Sequence, residues 1–119
     1  MTIRTDIDRT DLPLALTEQD LMLYAIWTEE SPETLPLRLQ HRPAHVARLQ
    51  ALQAEGRLIM AGPLPAIDSP DPGPAGFTGS LIVVDFDSLE EAKAFAEADP
   101  FVVAGVYQRV TVKPFKRTF

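Results

Sequence analysis

The chain has 119 residues, enough for one domain of ordinary size and too few for two. Its 11 Lys and Arg against 17 Asp and Glu give a formal net charge of −6. This charge argues against nucleic acid as a partner, because phosphate backbones are bound by clustered basic side chains. The absence of cysteine excludes disulfide frameworks, thiolate nucleophiles and cysteine-ligated metal centres.

Two further features concern location. The longest apolar run is seven residues, far short of the roughly 20 that a membrane-spanning helix needs. The first residues are polar and show no apolar segment of the kind found in signal peptides. We therefore expect a cytoplasmic protein that has no membrane partner.

Residues 1–20 differ in composition from the remainder of the chain. They hold two arginines, five acidic residues and no aromatic residue, so they have little apolar surface to bury. We expect a flexible or loosely docked N-terminal extension there, followed by one domain over residues 21–119. A short helix over residues 14–20 that packs on a partner is the alternative.

The sequence of the first half of this domain predicts a strand and a helix. The apolar run Leu21–Trp27 is typical of a buried strand, and the polar residues after it indicate a turn. Pro36 limits the next segment to a turn or two of helix. A longer helix is predicted from Pro43 to Glu55, with Gly56 as its C-terminal stop.

The sequence of the second half predicts two strands, then a helix, and then a last strand. A connection over residues 64–78, rich in proline and glycine, separates the first two of these strands. Ser88 and Glu91 have the spacing of a capping box, which marks the start of the helix. The predicted elements are a strand at Arg57–Pro63, a strand at Gly79–Phe86, a helix from Ser88 to about Ala98, a turn or short helix at Asp99–Gly105 and a strand at Val106–Val112.

This order predicts an α+β fold of the ferredoxin-like βαββαβ type, with a four-stranded antiparallel sheet and both helices on one face. An antiparallel sheet with one wet face should alternate apolar and polar residues, but three of the four strands are apolar on both faces. Since the helices cover one face only, the other face must meet an apolar partner. We expect a homodimer in which two sheets pack face to face, a dimeric α/β barrel.

His45 is the first candidate for a functional side chain. At 100° per residue, it lies on the same helical face as Leu49 and Leu52, which is the face expected to pack on the sheet. An imidazole titrates near neutral pH and is suited to proton transfer. A core histidine bonded to the backbone is the alternative, and the residues leave both interpretations open.

His41 precedes His45 by four residues, a spacing that can hold a metal ion on a helix. We expect His41 to lie outside the helix, because Pro43 marks its first turn. Arg42 also stands where a metalloprotease motif has glutamate. The glycines over residues 73–79 lack the spacing of a nucleotide-binding loop. Neither a metal site nor another cofactor is therefore predicted.

Asp99 and Ser80 are the other polar candidates. Asp99 precedes Pro100, so its carboxylate either orients His45 or caps the following turn. Ser80 lacks the surroundings of a nucleophile elbow and is interpreted as a hydrogen-bonding group in a pocket. Arg42 is either an anchor for a substrate carboxylate or a surface residue at the helix start.

Three segments together resemble the YciI-like proteins: MLYAIWTEE, RPAHVARLQALQAEGRLIMAGPLPA, and the stretch from DPGPAGFTGS to ADPFVVAGVYQRVTVKPFK. The resemblance covers residues 22–119, and these proteins belong to the dimeric α/β barrel superfamily, as does muconolactone isomerase. It implies that His45, in R-P-x-H, and Asp99, in A-D-P-F, form the active-site pair. It also implies that Gly62, Phe77 and Ser80 line the same pocket.

These observations lead to two functional hypotheses. The first is a cofactor-free enzyme, a lyase or isomerase, that uses His45 as general acid and base with Asp99 as its partner. Its reaction would be isomerisation or elimination on a small organic acid or lactone, with Arg42 holding a carboxylate. The second is a non-catalytic homodimer that binds a small ligand, or a regulatory one whose proline-rich loop over residues 63–76 docks a partner.

Overall fold

The structure, a computed structural model, describes residues 22–119, and the expectation for residues 1–20 lies outside them. The described elements follow the predicted order, and the segment predicted as a turn or short helix before the last strand is a short helix. They are β1 (Leu23–Glu30), α1 (Leu35–Ala54), β2 (Leu58–Pro65), a 3-10 turn (Gly73–Ala75), β3 (Phe77–Asp85), α2 (Leu89–Glu97), α3 (Pro100–Val103) and β4 (Tyr107–Phe115).

The four strands form one antiparallel sheet in the order β2-β3-β1-β4. This confirms the predicted ferredoxin-like α+β fold. The two central strands are β1 and β3, and their register places Ile26 opposite Ile82 and Thr28 opposite Ser80. The second of these pairs brings two side-chain hydroxyl groups together across the sheet.

The core lies between one face of the sheet and the two long helices. Ile26 and Val84, from the central strands, are fully buried against Leu52 of α1 and Ala92 of α2. The predicted inner face of α1 is confirmed, because Leu52 and His45 are buried whereas the alanines on the far side are exposed.

Helix α1 begins at Leu35, eight residues before the predicted start at Pro43. Pro36 lies in its first turn, where the missing N–H of proline has no helical partner to lose. Pro43 lies inside the helix, which tolerates the loss of one backbone hydrogen bond. The expectation that His41 lies outside the helix was therefore wrong.

Strand β1 also extends further than predicted, to Glu30, through residues expected to form a turn. Both of its edges are paired, with β3 on one side and β4 on the other. Two sets of backbone hydrogen bonds outweigh the weak strand preference of these polar residues. Thr28 and Glu30 are thereby placed inside the domain, and both are buried or nearly so.

The opposite face of the sheet carries the other half of the strand residues. On that face Trp27, Met60 and Phe115 are 45%, 57% and 43% exposed. Within residues 22–119 the helices pack on the first face only, as predicted. None of the helices in this range has the length and apolar character to cross a membrane. The cytoplasmic location stays a prediction from the sequence.

Candidate active site

His45 and Asp99, 54 residues apart in the chain, are in direct contact. The Nδ1 atom of His45 lies 2.9 Å from Oδ1 and 2.8 Å from Oδ2 of Asp99. Both residues are buried, at 6% and 3% exposure. His45 projects from the middle of α1, and Asp99 stands at the start of α3, so the packing of these two helices creates the pair.

The Asp99 carboxylate has two hydrogen-bonding partners. As the N-cap of α3 it accepts a hydrogen bond from the Phe101 backbone N–H, 2.8 Å from Oδ1, and it also contacts His45. Asp99 therefore contacts His45 and caps α3 at the same time. An ionised carboxylate only accepts hydrogen bonds, so Nδ1 of His45 donates, and Nε2 is the ring nitrogen left for proton transfer.

Aromatic packing holds the imidazole in this orientation. The ring of His45 stacks on Phe101, with centroids 4.1 Å apart and planes 15° apart, and Tyr107 approaches it edge-on. Arg48, one turn further along α1, donates from Nη2 to the Phe95 carbonyl oxygen at 2.9 Å. Its Nη1 lies 3.9 Å from Oδ2 of Asp99, which adds positive charge beside the carboxylate.

His45 opens onto a cleft of about 220 Å³ between α1 and the sheet. Of the predicted pocket residues, Arg42, Gly62 and Ser80 line this cleft. Phe77 does not; it lines a neighbouring cavity of about 370 Å³ beside the β1–α1 turn. Asp99 lies behind the imidazole, so it reaches the cleft only through His45. The remaining wall comes from Arg38, Val46, Leu49, Ala61, Pro63 and Ile82.

Arg38 is a residue of the cleft that the sequence analysis missed. It is 6% exposed and forms a buried ion pair with Glu30 of β1. Its guanidinium lies over two rings, 4.7 Å from the centroid of Phe77 and 5.0 Å from that of Phe101. Burial lowers the pKa of Arg38 from its ordinary value. Arg38 precedes His45 by seven residues, so a correctly extended helix would have placed both on one face.

Ser80, which lines the cleft, is linked to two further hydroxyl groups, those of Thr28 on β1 and Tyr107 on β4. Ser80 Oγ lies 2.8 Å from Thr28 Oγ1 and 2.9 Å from the Tyr107 hydroxyl. All three residues are at most 5% exposed, and burial raises the pKa of the Tyr107 phenol. The sequence offered no signal for Thr28 or Tyr107, because their meeting depends on the pairing of strands far apart in the chain.

His41 is half-buried on α1 and is not part of the wall of the His45 cleft. Across residues 22–119, no group of three or more His, Cys, Asp and Glu side chains is arranged to hold a metal ion. The described residues therefore bring together His45 and Asp99, and place His41 apart from them.

The chain matches a known protein family over most of its described residues. The family described as YCII-related domain matches residues 22–116. The chain is 59% identical over 98 residues to Protein YciI of Escherichia coli O6:H1, an alignment that covers 82% of this chain and all of that protein. It is 53% identical, with the same coverage, to an uncharacterized protein of Haemophilus influenzae.

A solved structure is similar in both sequence and fold. It is 5-chloro-2-hydroxyhydroquinone dehydrochlorinase from Burkholderia phenoliruptrix AC1100, in complex with 2,5-dihydroxybenzoquinone. The TM-score is 0.71 at 31% sequence identity, and the match covers 81% of this chain and 95% of that one.

Proposed function

The chain belongs to the family of YCII-related domains, and we propose that it is a cofactor-free enzyme that transfers protons on a small organic acid or lactone. In this proposal His45 is the general acid and base, and Asp99 is its partner. The contact between His45 Nδ1 and the Asp99 carboxylate, beside a cleft of molecular size, carries the proposal.

The geometry suits a proton transfer at carbon. His45 Nε2 would take a proton from a carbon atom of the bound substrate, and the imidazolium formed would be stabilised by the buried carboxylate behind it. Returning the proton to another carbon gives isomerisation. Loss of a leaving group from the neighbouring carbon gives elimination. Asp99 holds the ring in one tautomer throughout, as in other carboxylate–histidine pairs.

The size of the cleft limits the substrate. An apolar protein cavity of about 150 Å³ holds benzene, so the 220 Å³ cleft accommodates one six-membered ring with a few substituents. Arg42, exposed at the rim, supplies a cation for a substrate carboxylate. The structural neighbour is a dehydrochlorinase crystallised with a single-ring quinone, which supports elimination on a compound of this size.

The test compares two histidines of one helix. Purified wild type, His45→Asn and His41→Asn are assayed with 5-chloro-2-hydroxyhydroquinone, a set of lactones and a set of halogenated cyclic acids. We expect His45→Asn to lower the rate by about 10²- to 10⁴-fold, the usual contribution of a general acid or base. The control His41→Asn should retain the wild-type rate.

Two results would contradict the proposal. Turnover by His45→Asn at the wild-type rate would remove His45 from the mechanism. Binding of these compounds to the wild type, seen as a rise in melting temperature, with no turnover of any of them would favour the ligand-binding or regulatory alternative.

We also propose that the protein is a homodimer joined through the second face of the sheet. Trp27, Met60 and Phe115 supply apolar surface on that face, and a second copy of the same sheet would cover it. Sedimentation velocity should give a dimer for the wild type and a monomer for Trp27→Lys. Leu39→Lys, a control at a 63% exposed site on α1, should remain a dimer. A monomeric wild type would contradict the proposal.

A further inference from the structure

We propose that Phe77 limits the length of the molecule that the His45 cleft can hold. Its ring supports Arg38 as a wall between this cleft and the second cavity, which lies beside the β1–α1 turn. With this wall in place the ligand class is a one-ring organic acid, and without Phe77 a two-ring acid also fits. This inference rests on the cleft being the binding site in the proposed function, and it adds the residue that restricts the substrate.

The cleft and the second cavity are neighbours along the same elements. On α1, Leu35 lines the second cavity, and Arg42, two turns further along the helix, lines the cleft. On β3, Thr78 lines the second cavity and Ser80 lines the cleft. Residues two apart in a strand point to the same face of the sheet. The two spaces are therefore consecutive parts of one trough along α1 and the sheet.

The wall between the two spaces consists of Arg38 and two residues that contact it. Arg38 lines the cleft, whereas Phe77 and Glu30 line the second cavity. The Arg38 guanidinium lies 4.7 Å from the centroid of the Phe77 ring and pairs with the Glu30 carboxylate. Because Arg38 is only 6% exposed, packing fixes its side chain in this position. A single layer of side chains thus separates the cleft from the second cavity.

Phe77 is the part of the wall that can be removed without exposing a buried charge. Arg38 and Glu30 form a buried ion pair, and loss of either residue would leave the other charge without its partner. Phe77 is neutral and partly exposed. Without its ring, Arg38 would keep the ion pair and the face of Phe101, whose centroid is 5.0 Å away. Phe77→Ala should therefore open a passage in a folded protein.

The volumes of the two spaces decide which ligands report this passage. An apolar cavity of about 150 Å³ holds benzene, so two linked rings need about 300 Å³. The cleft of about 220 Å³ is too small for them, but the adjoining cavity of about 370 Å³ has room for the second ring. Arg42 and Leu35 are about 10 Å apart along α1. A carboxylate held at Arg42 is thus one two-ring length away from the second cavity.

The test uses benzoate and biphenyl-4-carboxylate as probes and records amide NMR signals of ¹⁵N-labelled protein. The chain has six glycines, of which Gly62 lines the cleft and Gly76 lines the second cavity, so their signals report the two spaces separately. In the wild type, benzoate should shift the Gly62 signal, and neither acid should shift that of Gly76. In Phe77→Ala, biphenyl-4-carboxylate should shift both signals and bind at least about tenfold more tightly than to the wild type, because its second ring becomes buried.

Two control variants separate the wall from a general change of the cavity. Leu35→Ala enlarges the second cavity but leaves the wall in place, so the Gly76 signal should not respond to either acid. Phe77→Tyr keeps an aromatic ring over Arg38 and should also behave as the wild type does. Each titration is compared with the ligand-free spectrum of the same variant, and thermal melting shows that each variant is folded.

The failure of this inference is distinguishable from that of the proposed function. A Gly76 signal that shifts with biphenyl-4-carboxylate in the wild type would overturn the wall, as would one that does not shift in folded Phe77→Ala. A Gly62 signal that does not respond to benzoate in the wild type would overturn the placement of the ligand in the cleft. The expected signals together with full activity of His45→Asn would support the size limit and contradict only the proton transfer.

Discussion

Replacing Asp99 by alanine removes two contacts made by one buried carboxylate. The first is the cap of α3, a 2.8 Å hydrogen bond from the Phe101 N–H, and loss of such a cap costs about 1 kcal/mol. The second is the 2.8 Å contact with His45 Nδ1, and loss of a hydrogen bond to a charged group costs about 1.5–3 kcal/mol. We therefore expect Asp99→Ala to lower the free energy of unfolding by about 2.5–4 kcal/mol.

The measurement is urea unfolding of three variants beside the wild type. Ser88→Ala is the matched control, because Ser88 caps α2 through a 3.2 Å bond from Glu91 N–H and has no second partner of this kind among residues 22–119. It should cost about 1 kcal/mol. Asp99→Asn keeps a capping oxygen and should cost about 1–2 kcal/mol, since it loses mainly the charge. If Asp99→Ala were no less stable than Ser88→Ala, the contact with His45 would contribute nothing and the reasoning would be wrong.

Three further outcomes are expected. Burial raises the pKa of Tyr107 above its ordinary value of 10.0, so the folded state binds this proton more tightly than the unfolded chain. The stability that comes from this shift is complete below pH 10 and is lost as the pH rises through the folded pKa of Tyr107. Tyr107→Phe should therefore reduce the loss of unfolding free energy at alkaline pH, and an unchanged loss would contradict this expectation. Gly79→Ala would place its Cβ 1.8 Å from the Thr28 carbonyl oxygen. Urea unfolding should show that the free energy of unfolding falls by about 1–3 kcal/mol or more, and a variant as stable as the wild type would refute this close approach. Arg38→Met should lower the free energy of unfolding by about 3–5 kcal/mol, because it leaves Glu30 buried and unpaired. The double variant with Glu30→Leu should recover part of this loss, and strictly additive losses of the two substitutions would show that the pair is not coupled.

Local sequence patterns predicted some residues of the candidate site but not others. The position of His45 on the inner face of α1 follows from the 3.6-residue period of the helix, and the structure confirms that it is buried. The same period would have revealed Arg38, but Pro36 and Pro43 were interpreted as helix boundaries. Proline is compatible with a first turn, and packing of the helix on the sheet compensates for the single bond lost at Pro43.

Composition and periodicity by themselves determined the element order, the ferredoxin-like fold and the inward direction of His45, because these depend on backbone geometry over a few residues. The resemblance to the YciI-like proteins implied that Asp99 is the partner of His45, but only the tertiary structure decided the geometry of that pair and the groups that meet Ser80. The partners Asp99, Thr28 and Tyr107 are 54, 52 and 27 residues away from the side chains they contact. Such contacts arise from strand register and helix packing, where a shift of one residue turns a side chain to the opposite face of the sheet.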